Sequence, residues 1–144
     1  MAHEDAGHYA AKHPEGTSLE PDVKQKLQKK ISDGKISCAA AHTIAVDLNV
    51  TPEKIGIAID LMEARIHKCQ LGLFGYQPEK RIVKPAETPF PEVENAVSGN
   101  LENGRIDCEK CWKIADQLGK KKIDVSNVCE SMGVKVSKCQ LGAF

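Results

Sequence analysis

Lys68-Cys-Gln-Leu-Gly-Leu-Phe74 returns as Lys138-Cys-Gln-Leu-Gly-Ala-Phe144, an offset of 70 residues. Working outward from this ending, residues 23–74 lie over 93–144 without a gap. Identities fall at Val23/Val93, Gly34/Gly104, Ile36/Ile106, Cys38/Cys108, Ile44/Ile114, Ala45/Ala115, Leu48/Leu118 and Met62/Met132. With the shared ending these make fourteen identities in 52 positions, where chance pairing at average composition gives about three or four. Conservative pairs such as Ile31/Leu101, Lys35/Arg105, Ile55/Val125 and Ile66/Val136 complete an apolar frame. Self-similarity at one fixed period is the mark of a duplicated structural unit.

The repeat divides the chain into an N-terminal arm or tail (1–20), a first unit (21–84), a Pro-rich linker (85–92) and a second unit (93–144). Pro85, Pro89 and Pro91 favour an extended, fairly stiff connector. In the arm, Ala6 to Lys12 allows one short helical turn before Pro14, Gly16 and Pro21 interrupt it. His3, His8 and His13 recur every five residues, which matches no helical face and reads as a flexible tail.

Each unit opens with a helical pattern; in the first, Val23, Leu27 and Ile31 share one face. Asp33-Gly34 and Asn103-Gly104 are expected to stop that helix. A short extended piece follows, and Ser37 or Asp107 caps a second helix through Ile44, Ala45 and Leu48, or Ile114, Ala115 and Leu118. Thr51-Pro52-Glu53 caps a third helix, with Ile55, Ile59 and Met62 matched by Val125, Cys129 and Met132 on its buried face. Alternation then predicts a strand over Ile66–Gln70 and over Val134–Val136. In the first unit Arg81-Ile-Val83 is positioned to pair back on it, leaving Phe74–Lys80 as a wing-like loop; the second unit has no such strand.

This order resembles the winged helix-turn-helix family. The residues that carry the resemblance are Ala45 four before Asn49, and Ala115 four before Gly119, a small residue at a close helix crossing followed by a turn former. Ile44, Leu48, Val50, Ile55 and Ala58 supply the flanking core, although Lys120 stands where Val50 does. The resemblance implies a mainly α protein of two winged-helix-like units, each of three helices plus short β-strands. It further implies binding to double-stranded DNA and a role in transcription regulation, with the third helix in the major groove.

Carried over residue by residue, the first unit presents Glu53, Lys54, Gly56, Ile57 and Asp60, none suited to bidentate base contact. The second presents Lys120, Lys121 and Lys122 as a phosphate clamp, with Ser126 and Asn127 facing outward. Charge gives no independent support. Lys and Arg number 20 against 20 Asp and Glu; residues 20–84 hold eleven bases and eight acids, and 85–144 hold eight and nine. Lys24, Lys26, Lys29 and Lys30 crowd the first helix, where a solvated charged face is the plainer reading. The alternative function is a protein-interaction adaptor on the same fold, since a fold does not fix function. Its candidate partner contacts are His42 and Trp112, which align on the outer side of the second helix.

No apolar run approaches the length of a membrane span. The start Met1-Ala-His-Glu-Asp lacks the basic and apolar regions of a signal peptide, so a cytoplasmic protein is expected. In a reducing compartment six cysteines read as packed thiols, metal ligands or redox groups before disulfides. Cys111 and Cys129 align with Ala41 and Ile59 and read as core. Together with Cys108 and Cys139 they offer four thiolates to zinc or an iron–sulfur cluster, at an unfamiliar spacing; reduced, metal-free thiols are expected. No catalytic triad, carboxylate pair or phosphate loop appears, so no enzyme activity is expected.

Overall fold

A computed structural model describes residues 9–14, 16–88 and 90–144. The protein is mainly helical, with a few short strands. The first repeat contains α1 (Pro21–Lys30), β1 (Lys35–Ser37), α2 (Cys38–Asp47), α3 (Pro52–Leu61) and β2 (Arg65–His67). The second contains α4 (Pro91–Ser98), β3 (Arg105–Asp107), α5 (Cys108–Leu118), α6 (Lys122–Ser131) and β4 (Lys135–Ser137). Corresponding helices and strands begin 70 residues apart throughout, as the duplicated sequence requires.

The local chemistry sets these boundaries. Pro21, Pro52 and Pro91 sit in first helical turns, where a missing N–H costs nothing. Ser37, Thr51 and Asp107 accept N–H bonds from Ala40 at 3.1 Å, Lys54 at 3.2 Å and Lys110 at 2.9 Å. Asp33-Gly34 does something other than cap α1, which already ends at Lys30. Both residues have positive φ (52° and 72°), and Ser32 and Lys35 exchange backbone bonds of 2.9 and 3.0 Å around them. This is a two-residue hairpin turn with left-handed central residues, repeated at Asn103-Gly104.

β1 and β2 pair in parallel, Ile36 opposite Ile66; β3 and β4 do the same, Ile106 opposite Val136. The α2–turn–α3 segment is the crossover that parallel strands need. β1 and β3 end where α2 and α5 begin, and β2 and β4 end where Lys68 and Lys138, at φ 51° and 54°, turn the chain out of the ladder. The alternation expected to run to Gln70 therefore stops at His67. Arg81–Val83 forms no strand: Ile82 N–H donates to Gly72 O at 2.8 Å, and the segment runs beside α6 instead of returning to β2.

α2 meets α3 where Ala45 is 2% exposed, and α5 meets α6 where Ala115 is 3% exposed. The turn after each is fixed by Val50 N–H to Ala45 O and Lys120 N–H to Ala115 O. Replacing either alanine by leucine inserts three carbons into a filled crossing. The expected cost is about 1–3 kcal/mol in chemical denaturation, and an unchanged midpoint would show that the crossing is loose.

The compact units do not coincide with the repeats. One consists of the described residues up to Cys69 together with Gln140–Phe144; the other is Gln70–Cys139. The first unit builds its core from Val23, Leu27, Ile36, Ile44, Ile55, Ile59, Ile66 and Leu141, and the second from Leu71, Val93, Val97, Ile106, Ile114 and Val125. Each unit is closed by the Leu-Gly ending that follows the other repeat.

Candidate interaction site

The outer face of α6 was the expected DNA-reading surface, and the chain itself covers it. Ser126 is 1% exposed, not outward; its hydroxyl donates to Leu71 O at 2.6 Å and lies 3.1 Å from Lys122 O. Asn127 is half-buried: its side-chain oxygen accepts Lys84 N–H at 3.0 Å and its carbonyl accepts Ala86 N–H at 3.1 Å. The segment that leads into the linker thus uses the one side chain suited to read a base. Helical periodicity places Ser126 and Asn127 off the α5–α6 core correctly, but a segment more than forty residues away in sequence fills the space beyond.

The lysines are also engaged. Lys120 Nζ lies 4.6 Å from the Phe90 ring centroid and 3.5 Å from Glu92. Lys122 Nζ lies 4.5 Å from the centroid of Trp112, which is half-buried, as is His42 at the matching position of α2. Lys121 is exposed; its backbone N–H donates to the Asp124 carboxylate at 3.2 Å, closing the start of α6. In the first unit Lys26, Lys29 and Lys30 border a cavity of about 220 Å³ with Thr43, Ile44 and Asp47.

α3 is covered in its own way. Tyr9–Lys12 forms a 3-10 turn against it, with Tyr9 3% exposed. The Glu63 carboxylate accepts the backbone N–H groups of Tyr9 and Ala10. His13 Nε2 donates to Asp60 Oδ2 at 2.7 Å, and Lys12 Nζ lies 3.4 Å from the same oxygen and 3.2 Å from Gly142 O. Residues 9–13 are therefore a docked clasp and not a flexible tail, while His3 and His8 lie outside the described residues. No sequence signal pointed to this role, except that Asp60 interrupts an apolar helix face.

The two clasped helices differ. In the second unit, Leu73, Arg81, Ser126, Cys129, Glu130, Val134, Lys135 and Val136 line a cavity of about 280 Å³. At positions 70 residues earlier, Ala64, Ile66 and Cys69 are all buried, as is Ala143 opposite Leu73. Val134, Val136, Cys139 and Leu73 are half-exposed. Arg81 bridges Glu130 at 3.0 Å across the rim, and Lys135 is exposed beside it.

Cys111 and Cys129 are both essentially buried, as their alignment with Ala41 and Ile59 implied. The Cys111 thiol is pushed well up by its hydrogen bond with the Cys129 sulfur and by burial. An un-ionised thiol is a poor nucleophile and a poor metal ligand. Among the described residues, no three His, Cys, Asp or Glu side chains are grouped to hold a metal ion. No helix among them is long and apolar enough to cross a membrane. Comparison with family models, curated proteins and solved structures finds no match.

Proposed function

We propose that the chain is a non-enzymatic protein-interaction adaptor built from two divergent, winged-helix-like helix-turn-helix units. One observation carries this reading over the DNA-binding regulator: residues 70–86 occupy the face of α6 that would have to enter a groove, using Ser126 and Asn127. A recognition helix needs free side chains at base edges, and the helix with readers on it has spent them holding the chain. The even charge balance supports the same choice, because phosphate contact is the main source of affinity for nucleic acid.

The test is a DNA titration at several salt concentrations, with the native chain and with Lys121→Ala/Lys122→Ala. Expected is only weak binding that vanishes toward physiological salt, with the double variant indistinguishable from native. Tight, sequence-dependent binding, weakened in the variant with a salt slope reduced by roughly one unit per lost phosphate contact, would replace the adaptor reading with the DNA-binding one.

A further inference from the structure

We propose that the groove of the second unit is a docking site for a tyrosine carried on a short turn of a partner protein, preceded in that partner by an acidic residue. This rests on the adaptor reading and names the class of partner. The protein contains its own template. In the first unit Ala64, Ile66 and Ala143 are buried, and so is Tyr9, at the head of a 3-10 turn that packs against α3. In the second unit their counterparts, Val134, Val136 and Leu73, are half-exposed and border a cavity of about 280 Å³. Seventy residues after Tyr9 the chain carries Glu79, which is exposed, and none of the residues that line the cavity is aromatic. The volume falls just below the roughly 300–1,000 Å³ of sites for whole small molecules, and suits one aromatic side chain.

The acidic requirement follows from what the second unit lacks. In the first, the Glu63 carboxylate caps the turn by accepting the N–H groups of Tyr9 and Ala10. The matching residue is Gly133, with no carboxylate to offer. A partner turn must bring its own cap, and an aspartate two residues before the tyrosine supplies one by accepting the tyrosine N–H. Charge favours the same residue. Arg81 is balanced by Glu130, whereas Lys135 has no ion-pair partner within 4.0 Å among the described residues and leaves the rim positive.

The experiment records backbone amide spectra of the isotope-labelled full chain titrated with three acetylated, amidated peptides: Asp-Ala-Tyr-Ala-Ala, Lys-Ala-Tyr-Ala-Ala and Asp-Ala-Ala-Ala-Ala. Expected are shifts centred on Leu73, Val134 and Val136 with the first peptide. Binding of the second should be about three- to fivefold weaker at low salt, and of the third more than about tenfold weaker. Val136→Glu should abolish the response, with Leu73→Arg as the substitute if the former does not fold. No shift at these residues up to millimolar peptide overturns the groove assignment and leaves the adaptor reading intact. Shifts at Ala64 and Ile66 instead mean displacement of the Tyr9 turn and also overturn it, whereas tight DNA binding in the titration above removes the adaptor reading itself.

Discussion

Gly56→Ala is expected to unseat residues 140–144 and destabilise the first unit by about 2–4 kcal/mol. A Cβ at Gly56 falls 1.9 Å from Leu141 O, 2.6 Å from its carbonyl carbon and 3.0 Å from its Cα. These are backbone atoms, so no rotamer change relieves the overlap. α3 is held on its other side by β-sheet and α2 contacts, which leaves the strap as the element free to leave. Leu141 is 2% exposed and Ala143 5%; returning one leucine to water costs about 1.5–3 kcal/mol, and the alanine adds a smaller amount. Position 126, the counterpart of Gly56, holds a serine whose hydroxyl reaches Leu71 O at 2.6 Å, so the second unit keeps its strap at a hydrogen bond's length. Ser126→Ala should therefore cost only about 1–2 kcal/mol, for a buried carbonyl losing its donor. Urea denaturation of the two variants makes the comparison, and a Gly56→Ala midpoint equal to native would show that Leu141 is not seated against α3.

The duplication, the order of elements, their caps and most of the core could be read from residues alone, because each rests on local chemistry. Asp33-Gly34 is legible as a turn former, but its place is not: it joins Ser32 to Lys35 and does not end α1. The exchange of endings was not legible. Lys-Cys-Gln-Leu-Gly is identical in both repeats, so nothing in its side chains says which helix it closes. The difference lies in Gly56 and Ser126, whose meaning appears only once the strap is beside them. The outward assignment of Ser126 and Asn127 failed for the same reason. Helical periodicity reports which face leaves its neighbouring helix, not whether a distant segment covers that face. The strand predicted through Gln70 failed on a backbone feature: a lysine in the left-handed region is uncommon, and no side-chain pattern announces it.

Removing both partners of Asp60 should produce an effect of similar size in the clasp. Asp60 is 2% exposed; Oδ2 receives His13 and Lys12, and Oδ1 has no hydrogen-bond partner among the described residues. Stripping the partners from a buried charge costs about 3–5 kcal/mol where the structure holds rigid. The clasp can instead detach and let water reach the carboxylate, which limits the loss in Lys12→Ala/His13→Ala to the burial of Tyr9 and its turn, about 2–3 kcal/mol. The visible consequence is a Tyr9 ring open to quenchers and increased amide exchange at Ala64 and Ile66. Adding Asp60→Leu to the double variant should recover much of the stability, since an apolar side chain has no charge left to satisfy. Arg81→Ala at the matching place in the second unit is the control. There both side chains are half-exposed, at 50% and 41%, and a solvent-screened pair of that kind contributes less than about 1 kcal/mol. Equal losses in the two units would mean that burial of Asp60 contributes nothing special to the clasp. A larger loss in the first ties the closed state of its groove to one buried carboxylate.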